Sequence, residues 1–318
     1  MNDIDHIEAH FHELKPGDDR FFEWKNRVNE YQRANNPVFR RFDGFDYLPV
    51  QAFKDAAVCC FNPDDSEIVF KSSGTSGQSR SLHYVKHLEV YHRAILSGFQ
   101  AHFGTDKFLF LGHLPAYEDQ SSLVYMANLL IGRVGTEHSG LFLDDLSALH
   151  RAIRVSKQTN IPIILLGAAF GLLYLAEKGD LKLPENAIVI ETGGMKTHRR
   201  EMSRSDLHRA IADGFGINRS QIHSEYGMCE MMSQCYSGSD GIFSAPPWVE
   251  AKVLSAIDFR SEVPLGHEGV LALFDMANLH SQSAILTQDK AVLHTNGFEV
   301  VGRLDQAEIR GCNLLLEK

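Results

Sequence analysis

The sequence predicts an α/β fold with largely parallel sheets flanked by helices, followed by a small, mainly β subdomain. Three observations carry this. From about residue 65, short apolar runs alternate with segments of helical period, the pattern of a parallel sheet with crossover helices. After about residue 240 the helical period stops and strand-like runs separated by turns take over. The glycine- and serine-rich loops follow the apolar runs, and open α/β sheets bind ligands at the carboxyl ends of their strands.

Taken in order, residues 1–60 are mostly helical in pattern, with aromatics at Phe11, Phe21, Phe22, Trp24, Tyr31 and Phe39. The core strands are expected at Ile68–Phe70, Phe108–Leu111, Ile163–Leu166, Ala187–Ile190 and near Ile222. Helices are expected over 82–103, 119–132, 145–157, 168–178 and 198–214. In the first, Leu82, Val85, Leu88, Tyr91, Ile95 and Phe99 recur every three or four residues. Pro246-Pro247 and Pro264 then break the helical pattern, and Trp248–Leu254, Gly269–Phe274 and Ser283–Leu286 read as strands. The expected division is a helical N-terminal segment (1–60), an α/β core (61–239), a small β subdomain (240–301) and a short tail (302–318).

A chain of 318 residues, 44% hydrophobic and 23% charged, has the composition of an ordinary globular protein. Its formal net charge of -10 argues against a general nucleic-acid or anionic-membrane binder. The acidic start, Met1-Asn2-Asp3-Ile4-Asp5, lacks the basic region of a signal peptide. The longest apolar run, Ile161–Ala176, is broken by Pro162, Gly167 and Gly171 and is too short to span a bilayer. Cytoplasmic residence is the resulting expectation. Five cysteines without a CxxC pair indicate neither a disulfide scaffold nor a structural zinc site. His6, His10 and His12 could meet on one helix, as ordinary surface positions also would.

Four short patterns carry chemistry. Ser72-Ser73-Gly74-Thr75-Ser76-Gly77 follows a strand-like run and precedes a helical pattern. Its glycines admit an anion close to the backbone, its hydroxyls and N–H groups donate, and a helix start would add its dipole. It is not the Gly-x4-Gly-Lys phosphate loop, and a plain turn has the same composition. Arg80 and Lys86 are near enough in sequence to bring positive charge. In Glu225-Tyr226-Gly227-Met228-Cys229-Glu230, Tyr226 can stack on a base or acyl group and Glu230 can hold Mg²⁺. A surface turn with a solvated glutamate explains the same letters. Asp289, ending the run Ile285-Leu286-Thr287-Gln288, suits ribose hydroxyls, although many such aspartates only cap turns. Arg303 in Gly302-Arg303-Leu304-Asp305 can reach ribose or phosphate oxygens, or form an exposed salt bridge.

In this order the motifs SSGTSG (72–77), ETGGMK (191–196), EYGMCE (225–230), LTQD (286–289) and GRLD (302–305) resemble the adenylate-forming superfamily. Within it the chain is most similar to the acyl-protein synthetases, the LuxE-type fatty-acid–luciferin-component ligases. The segments Glu191–Lys196, Glu225–Gln234 and Glu308–Leu314 carry that likeness, which covers roughly residues 45–318. The resemblance implies the N-terminal-domain fold of that superfamily without its mobile C-terminal domain. It implies ATP and Mg²⁺ as cofactors and acyl-AMP as the intermediate, with the acyl group of a fatty or other carboxylic acid passing to a protein thiol. By the same resemblance Ser72, Ser73, Gly74, Thr75, Ser76 and Gly77 wrap the ATP phosphates, with Arg80 in place of the usual lysine. Gly193, Gly194 and Met195 flank adenine; Tyr226 and Gly227 border adenine and the acyl pocket. Glu230 coordinates Mg²⁺, Asp289 binds ribose, and Arg303 contacts ribose or phosphate. Either the subfamily adenylates without the missing domain's lysine or Lys196 or a partner supplies its charge, and Cys312 is the candidate acyl carrier.

Departures from the superfamily pattern are Gln78 in the first motif, Cys229 where a threonine is usual, and Gln288 where a glycine is usual. The implied partners are an acyl reductase or an acyl carrier, and bioluminescence is one family context. Two alternatives remain open: an acyl- or aryl-CoA ligase of the phenylacetate type, and a non-catalytic nucleotide-binding subunit of an acyl reductase complex.

Overall fold

A computed structural model describes residues 3–42, 44–73, 79–115, 119–143, 145–193 and 202–304. In chain order the helices are α1 (Asp3–His10), α2 (Arg20–Asn35), α3 (Ala52–Asp55), α4 (Leu88–Phe103), α5 (Ser122–Arg133), α6 (Leu146–Thr159), α7 (Ala169–Lys178) and α8 (Arg204–Phe215). The first seven strands are β1 (Leu48–Pro49), β2 (Ile68–Lys71), β3 (Leu82–Val85), β4 (Leu109–His113), β5 (Gly140–Leu141), β6 (Ile163–Ala168) and β7 (Ile188–Thr192). The remainder are β8 (Ile222–Tyr226), β9 (Cys235–Ser237), β10 (Ile242–Ser244), β11 (Val249–Leu254), β12 (Glu268–Asp275), β13 (Ala284–His294) and β14 (Gly297–Arg303). The chain folds into two compact units. One comprises Met1–Gly98, Met228–Gln234 and Ser244–Lys318; the other comprises Phe99–Gly227 and Cys235–Phe243.

The second unit is the α/β part. Strands β4, β6, β7 and β8 are parallel neighbours, and β9 closes antiparallel on β8. Ile163, Ile164, Leu165 and Leu166 of β6 are all buried, because both faces of the strand are covered. On one face Leu111, Leu165 and Val189 share a core with Ile153, Leu172, Leu207, Ile211 and Phe215 of α6, α7 and α8. On the other, Phe99 stacks near Phe110 and Tyr236. Helices α5, α6 and α8 are capped by Ser121, Asp145 and Ser203, whose side chains each accept from a backbone N–H of the first turn. Helix α8 passes α7 so closely at Gly214 that a Cβ there would lie 2.6 Å from the Ala176 carbonyl.

The first unit is built on antiparallel strands. β11, β12, β13 and β14 are sequential neighbours, and the short β1 lies parallel to β13, pairing Leu48 with Ile285. Helix α2 docks through buried amides. Gln32 donates to the carbonyls of Asn278 and Leu279 (3.1 and 2.9 Å), and Asn36 donates to that of Ser281 (3.1 Å). Such bonds satisfy loop carbonyls that would otherwise be buried without partners.

The structure corrects two expectations. The helix predicted from Leu82 begins at Leu88; residues Leu82–Val85 form a strand that pairs antiparallel with β2, Lys71 opposite Leu82 and Ile68 opposite Val85. His83 and Val85 are buried while their neighbours are not, so period two wins over the helical spacing that Leu82 and Val85 also satisfy. The hydroxyl-rich loop therefore joins two strands of a hairpin, and no helix start follows it directly. Strand β2 pairs with β3 in a separate two-stranded sheet, so it is not a strand of the parallel sheet. The carboxyl ends of β4, β7 and β8 do share one edge, since these strands run in one direction in one sheet.

Candidate active site

In the first unit a line of polar groups runs from the stem of the hydroxyl-rich hairpin to the ribose-type motif. Ser72 Oγ accepts from the Ser81 backbone N–H at 2.9 Å, and Ser72 N–H donates to the Ser81 carbonyl at 3.1 Å. The Ser81 side chain in turn hydrogen-bonds the Glu230 carboxylate. Glu230 is only 6% exposed. Burial pushes its pKa above the ordinary carboxylate range, against the lowering effects of the Ser81 bond and of the positive charges on Lys54 and Arg303. Arg303 stands opposite Asp289 in the β13–β14 register and donates from Nε to Asp289 Oδ1 at 2.8 Å. Asp289 is nearly buried, whereas the Arg303 side chain is half exposed. The Thr287 hydroxyl accepts from the Asp289 N–H at 3.0 Å and fixes the turn of the strand there.

The segment carrying Glu230 is pinned along its length. His83 Nδ1 donates to the Cys229 carbonyl (2.7 Å), and Asn278 Nδ2 donates to the Glu230 carbonyl (2.7 Å). Asp275, fully buried, accepts from the N–H groups of Met232, Ser233 and Ala277 (3.0, 2.8 and 3.1 Å) and from the Ser233 hydroxyl (2.7 Å). The Trp248 indole N–H completes this knot by donating to Ser233 Oγ at 2.9 Å. Cys229, in the position where the superfamily carries threonine, has a buried thiol whose pKa burial raises, so it stays protonated.

In the second unit Thr192 pairs with Glu225 across β7 and β8, so Gly193 and Tyr226 follow one another's partners at the same strand ends. Gly193 has φ +93°, a left-handed conformation that suits glycine. Tyr226 packs edge-on against Phe243 (centroids 5.6 Å apart), and the Arg204 guanidinium lies 5.0 Å above the same Phe243 ring. Behind the turn is a buried polar cluster. Ser224 Oγ donates to Glu191 Oε1 at 2.5 Å, with His208 Nε2 and Arg204 Nε each 3.4 Å from that oxygen. Thr192 Oγ1 donates to Glu225, whose pKa is pushed up to about 7 by burial, with Glu191 adding to the rise.

Glu230, Asp289 and Arg303 are thus brought together with Ser72 in one unit, while Gly193, Tyr226 and Gly227 belong to the other. Ser73 and Arg80 are exposed beside the hairpin. Gly74, Thr75, Ser76, Gly77, Gly194, Met195, Lys196 and Cys312 lie outside the described residues. Lys86 lies over the Phe61 ring at 5.9 Å. Sequence patterns did not single out Ser81, Lys54, Asn278 or Asp275. Ser81 alone had a signal, as a hydroxyl residue four positions beyond the loop.

The fold is that of adenylate-forming ligases. The open conformation of 2-hydroxyisobutyryl-CoA ligase, in complex with 2-HIB-AMP and CoA, superposes with a TM-score of 0.66 at 14% identity, covering 92% of this chain and 77% of that one. ATP-bound MatB from Rhodopseudomonas palustris gives 0.55 at 18% identity, covering 76% of this chain and 49% of its own length. At such identities the likeness is one of fold. No curated protein sequence matches the chain. The acyl-protein synthetase family, LuxE, matches residues 136–318, more than half of the chain, and the protein belongs to that family. Membership and fold together make it an AMP-forming ligase that activates a carboxylate with ATP. Among the described residues, no helix is long and apolar enough to cross a membrane.

Proposed function

We propose that this chain is an acyl-protein synthetase acting on a long-chain fatty acid, and that it transfers the activated acyl group to a protein cysteine. The observation that supports this most is the line Ser72–Ser81–Glu230, with Lys54 and the Arg303–Asp289 pair beside it. It gathers hydroxyl donors, a carboxylate, two cations and a ribose-type acceptor in one unit. A carboxylate and a triphosphate repel each other, so joining them needs positioning and charge neutralisation. In the proposed reaction a substrate carboxylate oxygen attacks the α-phosphorus of ATP. The bond to the bridging oxygen breaks, pyrophosphate leaves, and acyl-AMP remains. A thiolate then attacks the acyl carbon and AMP departs.

Asp289 would hold the ribose hydroxyls, Arg303 the ribose or phosphate oxygens, and the 72–77 loop with Arg80 the phosphates. Gly193, Gly194, Met195, Tyr226 and Gly227 would border adenine and the acyl group. Lys196 would supply positive charge during adenylation. Glu230 is a hard oxygen donor beside a hydroxyl, which fits Mg²⁺, an ion that takes one or two carboxylates and completes its shell with phosphates and water. Bound there, the ion would neutralise phosphate charge. Cys312 is the proposed acyl carrier, delivering to an acyl reductase or acyl carrier protein.

ATP–pyrophosphate exchange across a panel of carboxylic acids tests the proposal. Exchange with long-chain fatty acids supports it. Exchange confined to aromatic acids points to a phenylacetate-type CoA ligase, and none with any acid points to a non-catalytic subunit. Incubation with ATP and fatty acid should also leave a hydroxylamine-labile adduct that Cys312→Ser abolishes; equal labelling of the variant removes Cys312 from the scheme.

A further inference from the structure

Away from the groups assigned above, three side chains from distant parts of the first unit meet. Glu8 comes from α1, His87 from the connection between β3 and α4, and His280 from the turn that precedes β13. His87 Nδ1 lies 2.6 Å from Glu8 Oε1, and His280 Nε2 lies 3.0 Å from Glu8 Oε2. The two imidazole rings are edge to face with centroids 5.1 Å apart. One nitrogen from each ring and a carboxylate oxygen thus lie within 4.8 Å of one another. We infer that Glu8, His87 and His280 form a binding site for a divalent transition ion of the zinc type, which would tie helix α1 to the rest of its unit.

Four features support it. The donor set is two imidazoles and one carboxylate, the borderline nitrogen–oxygen set that zinc and cobalt favour over magnesium or calcium. Donor atoms around such an ion stand at bond lengths of about 2.0–2.2 Å, so an outward shift of the rings admits it. His280 is oriented from behind: the Tyr31 hydroxyl lies 3.3 Å from Nδ1, leaving Nε2 toward Glu8. A hydrogen bond to the second ring nitrogen is the usual way a ligating histidine is held in tautomer and direction. Access is also available, because the His87 side chain is 40% exposed while Glu8 and His280 are nearly buried, so water can complete the shell from the His87 side. The charge balance is favourable at Glu8 and opposed at His280 by Lys86.

The test uses the full chain, freed of any affinity tag and stripped with a chelator. Titration with zinc should show one tight equivalent by calorimetry, and cobalt should give the visible absorption of a four- or five-coordinate site. Zinc should raise Tm and slow proteolysis within α1. His87→Ala, at a partly exposed position, should fold normally and lose that equivalent. Tyr31→Phe should keep the stoichiometry and weaken binding about tenfold. Zinc uptake that is unchanged in both His87→Ala and Glu8→Gln, or no uptake by the wild-type chain, overturns the inference. These readouts are independent of ATP chemistry, so they stand or fall separately from the proposed activity.

Discussion

Asp275 and Glu230 are both buried carboxylates of the first unit, yet their surroundings are opposite. Asp275 accepts from three backbone N–H groups and a hydroxyl, and no cation acts on it among the causes of its shift. Glu230 has one hydroxyl partner from another segment and its own backbone N–H, and two cations act on it at longer range. Burial raises the pKa of both. A carboxylate whose lone pairs are filled by the protein is a structural knot. One left with little beyond a serine and a surrounding positive field is prepared to take something from outside. That difference separates the residue that builds the turn from the residue that the turn presents.

The comparison can be broken most directly at Asp275. Asp275→Ala leaves several buried donors without an acceptor and should cost about 3 kcal/mol or more in urea unfolding. A loss below about 1 kcal/mol would mean that the knot does not hold the segment.

The second unit offers a third buried carboxylate with which to sharpen it. Glu225 titrates at about 7 in the fold, against an ordinary value of 4.5. Between these values the folded protein retains a proton that the unfolded chain has released. Stability from this group is therefore lost as pH rises from 4.5 to about 7 and stays flat above. Glu225→Gln removes that loss, so thermal melts at pH 8 should find the variant more stable by up to about 3 kcal/mol, and no better at pH 4.5. A variant that is less stable than the wild type at pH 8 but not at pH 4.5 would show that the Glu225 charge is used.

At Glu230 the expected pattern reverses that of Asp275. Glu230→Gln should leave urea stability equal or improved while ATP–pyrophosphate exchange falls roughly a hundredfold. If instead it destabilises as much as Asp275→Ala, the two residues do the same job. The smallest effect is expected at Ser81. Ser81→Ala should reduce exchange about tenfold and cost about 1 kcal/mol, since it removes a single hydroxyl donor.

Much of the α/β unit was legible before any coordinates. The strands at 163, 188 and 222 and the helices ending near 178 and 215 fall where the apolar periods put them, because period is set by near neighbours and by two covered faces. Residues Leu82–Val85 were not legible, since four residues satisfy either period and only pairing with β2 chose the strand. The same limit applies to the site. Asp289 and Arg303 stood out as motif letters, but nothing in their spacing revealed that they face each other across β13 and β14.

Outside Leu82–Val85, local order in the α/β part of the chain was enough to set which segments coil, which extend and where turns interrupt them. These preferences depend on neighbours a few positions away. Partnership needed the folded molecule. Ser81 meets Glu230, Asp275 closes on Met232 and Ser233, and Glu8 reaches His87 and His280 across separations that no local pattern encodes. Desolvation, which raises the pKa of Glu230 and Asp275, exists only once the chain has packed around them.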